Sequence, residues 1–276
     1  MLHAGDGQLL QGAVPGCLPG NVEQRFGLSA CQVDGSVFRS AARTGRWMDS
    51  AHGGQQAGAV GVQFDHVLGE ALYAAAPPDH WALTTELGFD IIVAPPWDAA
   101  SLQVKAWAAA SGRRGGFAQA ELTDDDGTLL GVGSTWIQYV PVRTQSRPDG
   151  AGGGVAPPSA VNFATHLGVR LTSQAGDPRA DLAEPGLWTN DFGVLHGGVW
   201  ASLVELAASE VLASRGLRTA HVGVSYLRPP ALGSAVSALA RPVHAGRSFG
   251  VVEVTGQDAS GRRCVMATVT GRRRED

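Results

Sequence analysis

Residues 196–216, HGGVWASLVELAASEVLASRG, decide the architecture. Apolar side chains crowd almost every face of this run at helical spacing, and Gly216 supplies a stop. A helix apolar nearly all round belongs inside a domain, wrapped by other elements. Glu205 does not fit that pattern, because a carboxylate is costly to bury without compensation.

Working outward, the chain repeats. A constant shift of 134 residues carries Thr85 onto Thr219, Pro95-Pro96 onto Pro229-Pro230, Gly112-Arg113 onto Gly246-Arg247, Asp124 onto Asp258 and Gly127 onto Gly261. Upstream the shift grows to about 140, and Trp47 and Trp188 precede the two helical stretches. A period this long means duplication of a whole module, not a stacked array of short repeats. The run Thr144 to Ala160, TQSRPDGAGGGVAPPSA, has almost nothing to bury and reads as a linker. The expected modules are therefore 21–143 and 161–272, joined by 144–160.

Each module reads alike. A short strand is expected first, over 26–37 and 166–172. A helix of about five turns follows, over 54–76 in copy one, where Pro77-Pro78 ends it. Strands rich in β-branched and aromatic residues come next, at 83–95, 101–111, 116–124 and 129–141 in copy one. Matching turns occur at 124–127 and 258–261. One buried helix followed by an antiparallel meander is α+β.

Composition narrows the function. The chain has 276 residues, 44% hydrophobic and 17% charged, with a formal net charge of −4. Nucleic acid is not an expected partner, since the Arg272, Arg273, Arg274 trio ends in Glu275 and Asp276. Cys17, Cys31 and Cys264 form neither a disulfide framework nor a zinc motif, and no metal or cofactor is expected. The absence of a long apolar run argues against a membrane span, and of a leader pattern against secretion, which leaves the cytoplasm as the expected location.

Two acids carry the chemical signal. Asp65, inside GAVGVQFDHVLGEAL, occupies the place of Glu205 in copy one. Asn190 and His196-Gly197-Gly198 stand at the start of the second helix, where exposed N–H groups and the helix dipole suit a developing oxyanion. Nine residues separate His196 from Glu205. The same step back from Asp65 reaches Gln56-Ala57-Gly58, whereas His52-Gly53-Gly54 lies four residues too early.

Asn190, His196-Gly197-Gly198, Glu205, Tyr226-Leu227-Arg228-Pro229 and Gly246-Arg247 resemble the small hotdog acyl-CoA thioesterases of the phenylacetate-pathway type, within the 4-hydroxybenzoyl-CoA thioesterase superfamily. The resemblance covers essentially all of copy two and, in degraded form, copy one. It implies two hotdog modules, each a long helix wrapped by antiparallel sheet, paired into an intramolecular double hotdog. It also implies composite sites. Site one would join Asn190, His196 and Gly197 to Asp65 and Thr85. Site two would join Gln56 and Gly58 to Glu205 and Thr219, with the weaker oxyanion hole. The implied reaction is hydrolysis of an acyl thioester, with Gly197 N–H on the carbonyl oxygen and Asp65 as nucleophile or base. Arg113, Arg228 and Arg247, with Arg114, become candidates for the phosphates of coenzyme A. Trp200 becomes a candidate pocket wall, and further stacking into a homo-oligomer is implied.

Two other readings stay open on the residues. Asp65-His66 could mark a hotdog hydratase or dehydratase of acyl thioesters, and a non-catalytic acyl-CoA-binding module would keep the groove without using the acids. A serine hydrolase is not supported, because no G-x-S-x-G occurs. Neither acyl-chain identity nor the choice between coenzyme A and acyl carrier protein is written in the residues.

Overall fold

The computed structural model describes residues 21–141, 160–174, 176–190, 192–231 and 233–273. The expected linker up to residue 159, Cys17 and Arg274 to Asp276 lie outside them. The N-terminal half runs α1 (Asn21–Arg25), β1 (Gln32–Asp34), β2 (Val37–Arg43), α2 (Gly61–Tyr73), β3 (His80–Ile91), β4 (Ser101–Gly112), β5 (Gly115–Thr123) and β6 (Leu129–Pro141). The C-terminal half repeats the order: α3 (Phe163–Leu167), β7 (Val169–Gln174), β8 (Asp177–Leu182), α4 (Gly197–Ala213), β9 (Arg218–Tyr226), β10 (Val236–Ala245), β11 (Phe249–Asp258) and β12 (Arg263–Arg272).

All twelve strands form one sheet, in the order β1-β2-β4-β5-β6-β3-β9-β12-β11-β10-β8-β7. The order reads the same from either end once the halves are exchanged, so a pseudo-twofold axis passes between β3 and β9. Gly88 faces Gly223 there, with Leu87 opposite Val224 and Phe89 opposite Val222. Each half-sheet curls around its own helix, and the molecule is a double hotdog of α+β class.

The helices sit where their composition demands. On α4, Val199, Leu203, Val204 and Ala207 are fully buried, and the helix packs on β8 to β12. On α2, Phe64 stacks on Phe89 of β3 with ring centroids 5.3 Å apart. The N-terminal parts of α2 and α4 cross at the axis, and the crossing is close. A Cβ at Gly198 would stand 2.4 Å from Val62 Cα, which is backbone and cannot yield. The second glycine of His-Gly-Gly is thus required by helix packing as much as by any ligand.

Three expectations need correction. The single opening strand is a short helix followed by a hairpin in each half, because Gly27 (φ 69°) and Gly168 (φ 70°) reverse the chain and β2 and β8 extend the sheet. The helix of copy one is shorter than expected. Residues Ala57–Val60 form a 3-10 turn first, and the α-helix begins only at Gly61. Trp200 is core and not a pocket wall. It is 2% exposed and lies against Gly256 of β11, where a Cβ would meet its ring at 2.6 Å.

Candidate active site

Each helix tip meets a carboxylate carried by the other half. At site one, Asp65 Oδ2 accepts the backbone N–H of Gly198 at 2.8 Å, and His196 Nδ1 lies 3.1 Å from the same oxygen. Thr84 Oγ1 donates to Asp65 Oδ1 at 3.0 Å. Gly197 allows this approach, since a Cβ there would fall 2.6 Å from Asp65 Oδ2. Its own N–H belongs to the first turn of α4, where a helix leaves its donors unpaired. Its carbonyl accepts the hydroxyl of Tyr226 at 2.8 Å.

His196 is the hub of site one. Its Nε2 lies 3.1 Å from Oε1 of Glu23, a buried residue of α1 that also stands 3.5 Å from His66 Nδ1. Burial alone would keep the ring neutral. Hydrogen bonds and charge from Asp65 and Glu23 outweigh it and push the pKa of His196 up to about 10. Burial opposes ionisation of Glu23 as well, yet the hydrogen bond and charge of His196, with His66, hold it down to about 2. A charged ring donates from both nitrogens. The Gly198 N–H, also 3.0 Å from Nδ1, is then left to Asp65.

Site two is the pseudo-symmetric copy with neutral partners. Glu205 Oε1 accepts Thr219 Oγ1 at 2.7 Å, and the N–H groups of Ala57 and Gly58 hold the carboxylate as well. Gln56 takes the place of His196. With its amide turned to satisfy both ends, nitrogen donates to the Glu205 oxygens at 3.1 and 3.2 Å and oxygen accepts Ser209 Oγ. Among the described residues the charged neighbour that acts on Glu205 is another acid, Glu210. Burial pushes the pKa of Glu205 up to about 7 against the pull of Thr219 and the two amides. The site opens on a narrow cleft, with room of about 20 Å³, lined by Ser50, His52, Gln56, Glu205, Ser209 and Thr219, among others.

The structure gathers Asp65, His196 and Gly197 at one tip, and Gln56, Gly58, Glu205 and Thr219 at the other. Thr85 is not at the site. It is the extra residue of a bulge between Thr84 and Glu86, and its hydroxyl turns to the carbonyl of Trp136. The bulge of β9 falls at Ala220, between Thr219 and His221. The true counterpart of Thr219 is therefore Thr84, at a shift of 135. Asn190 shapes the loop beneath the tip. Its Oδ1 accepts the N–H groups of Phe192 and Val194, both at 3.1 Å. Ser50 does the same for His52 in the other half, so His52-Gly53-Gly54 corresponds to this loop and not to the helix tip.

Arg113, Arg228 and Arg247 are all exposed. Arg113 and Arg247 lie in the corresponding turns β4–β5 and β10–β11, and Arg228 lies just beyond β9. His66 does not form a dyad with Asp65, because its Nδ1 faces Glu23 and its Nε2 is buried with no hydrogen-bond partner among the described residues. Glu23 escaped the sequence reading altogether; a lone acid in NVEQR carries no spacing that would single it out. No grouping able to hold a metal ion occurs among the described residues, and no helix there is long and apolar enough to cross a membrane.

Residues 192–265 match the model of the thioesterase superfamily. No curated protein matches by sequence. Solved structures do resemble the chain. An acyl-CoA thioesterase II from Mycobacterium marinum aligns over 92% of this chain and 98% of its own, at 13% identity and a TM-score of 0.62. A tesB protein of Mycobacterium avium subsp. paratuberculosis aligns over 89% and 96%, at 13% identity and a TM-score of 0.61. An acyl-ACP thioesterase from Bacteroides thetaiotaomicron aligns over 86% and 98%, at 13% identity and a TM-score of 0.58. At these identities the likeness speaks for the fold.

Proposed function

We propose that the chain is a thioester hydrolase that cleaves acyl-CoA at two composite sites, one around Asp65 and one around Glu205, a reading supported by the match of residues 192–265 to the thioesterase superfamily and by the double-hotdog fold. The observation that carries the reading is the placement of each carboxylate against the other half's helix tip, with a threonine hydroxyl on its outer oxygen. Two pseudo-symmetric repetitions of so costly an arrangement argue for chemistry over packing.

At site one the thioester carbonyl oxygen accepts the N–H of Gly197, in the unpaired first turn of α4. Asp65 accepts a proton from a water molecule as that water attacks the carbonyl carbon. The tetrahedral intermediate is held by the helix tip and collapses with loss of the thiolate, which recovers the proton from Asp65. Thr84 and the Gly198 N–H fix the carboxylate plane throughout. Site two runs the corresponding steps with Glu205, Thr219 and the Gly58 N–H, the carbonyl oxygen drawing the Ala57 N–H away from the carboxylate. It uses Gln56 where site one has a charged ring. A good oxyanion donor is worth about 3 kcal/mol, roughly a hundredfold in rate. Arg113, Arg228 and Arg247 are the proposed contacts for the coenzyme's phosphates.

The test is release of free thiol from a panel of short, branched, aromatic and long acyl-CoAs. Wild type should release coenzyme A, and the Asp65→Asn, Glu205→Gln double variant should not. An undiminished rate in the double variant would remove both carboxylates from the mechanism. Loss of enoyl absorbance without thiol release would indicate hydration instead.

A further inference from the structure

Glu23 is a buried charge that the steps above leave unused. It is 7% exposed, and its carboxylate stands within 3.5 Å of two histidines, His66 and His196. The pseudo-twofold axis supplies an internal control. Gly27 and Gly168 close the short helices with the same left-handed turn, which aligns α1 with α3 at a shift of 141 and puts Ala164 at the place of Glu23. The helix shift of 140 puts Leu206 at the place of His66 and Gln56 at the place of His196. Three positions thus change together between the two sites, from Glu, His and His to Ala, Leu and Gln. The acid on the short helix is present only where the helix cap is a histidine.

We infer that Glu23 is a positioning residue of site one, holding His196 as a doubly protonated ring whose Nδ1–H in turn fixes Asp65 at the tip of α4. The inference rests on the hydrolytic reading of site one. A neutral imidazole has one N–H, so between two carboxylates it would leave a lone pair against a negative oxygen. With Glu23 ionised, the ring is charged and the trio keeps a net charge of −1, which leaves a negative charge for the reaction. Without Glu23, burial would favour a neutral ring, whose single N–H is no longer committed to Asp65. The titratable groups facing His196 are Asp65 from α2 and Glu23 from α1. His66 lies beyond Glu23, and Tyr226 on β9 is tied to the Gly197 carbonyl.

The experiment uses the full chain with Glu205→Gln, so that only site one turns over, and hexanoyl-CoA as substrate. Glu23→Gln in that background should lower kcat roughly ten- to hundredfold, the scale of one lost charge-assisted hydrogen bond, with KM nearly unchanged. Glu23→Asp should restore part of the rate. Nitrogen-15 NMR of the imidazole should show both His196 nitrogens protonated at pH 8, and one proton lost on Glu23→Gln. The inference is overturned if Glu23→Gln lowers only the melting temperature and leaves kcat and the ring signals unchanged. If the Glu205→Gln protein releases no thiol from any acyl-CoA of the panel above while the NMR change still occurs, the hydrolytic reading of site one fails and the Glu23–His196 pairing stands.

Discussion

Asp65, on the helix of the N-terminal half, accepts a 2.8 Å hydrogen bond from the backbone N–H of Gly198, in the first turn of the C-terminal helix. Neither half alone can make this contact. Asp65→Asn keeps the shape but removes the base, and we expect site one to lose at least about a hundredfold in turnover. Thiol release measured in the Glu205→Gln background isolates that loss. A rate within a fewfold of the parent would show that Asp65 takes no part.

The choice between Thr84 and Thr85 is separately testable. Thr84→Val removes the hydroxyl on Asp65 Oδ1 and should slow site one about tenfold or more, whereas Thr85→Val removes only a bond to the carbonyl of Trp136 on the outer face. Turnover of the two variants in parallel, again with Glu205→Gln, decides the matter. Equal losses would mean that the bulge does not separate their roles.

This pair also marks how far the sequence could be read. The buried helix of residues 197–213, the strands after it and the Asp124 and Asp258 turns follow from hydrophobic period, glycine placement and repetition. Those signals are local, and the structure places a helix at Gly197–Ala213 and strands at β4, β5 and β6 within a residue of expectation, with β3 starting three residues earlier. The bulge at Thr85 has no local signal. It follows from the pairing of β3 with β6, and a one-residue slip sends a side chain to the other face. Glu23 is invisible for a related reason. Its partners lie 43 and 173 positions away, at His66 and His196. Only the exchange of short helices between halves brings them together.

Glu23 and Glu205 should give the protein opposite pH sensitivities. The folded pKa of His196 is about 10, above its unfolded value, so its contribution to stability is full below about pH 6.5 and is lost as pH rises through 10. Glu23 is held near 2, so its contribution is present above about pH 4.5 and is lost as pH falls toward 2. Glu205 runs the other way. Its folded pKa of about 7 lies above the unfolded value, and ionising it in place costs stability between about pH 4.5 and 7, on the order of 3 kcal/mol. Glu205→Gln should therefore stabilise the fold more at pH 8 than at pH 5. Urea midpoints at the two pH values measure this, and a pH-independent difference would contradict it.

Two glycines on the crossing helices predict opposite outcomes for the same substitution. A Cβ at Gly198 would meet Val62 Cα at 2.4 Å and the Gly61 carbonyl at 2.6 Å, both backbone. Gly198→Ala must push the helices apart, which should cost about 3 kcal/mol or more and pull Asp65 off the tip of α4. A Cβ at Gly69, one turn beyond Asp65 on α2, meets nothing within 4 Å. Its backbone is already helical, so Gly69→Ala removes only the conformational freedom of the unfolded chain and should stabilise by roughly 0.5–1 kcal/mol. Thermal unfolding of the two variants should move the midpoint down for one and up for the other. Activity separates them further, because the Gly198 variant should lose site one while the Gly69 variant keeps its carboxylate in place. A Gly198→Ala protein as stable and active as wild type would mean that the helix tips are not held at the separation on which the composite site depends.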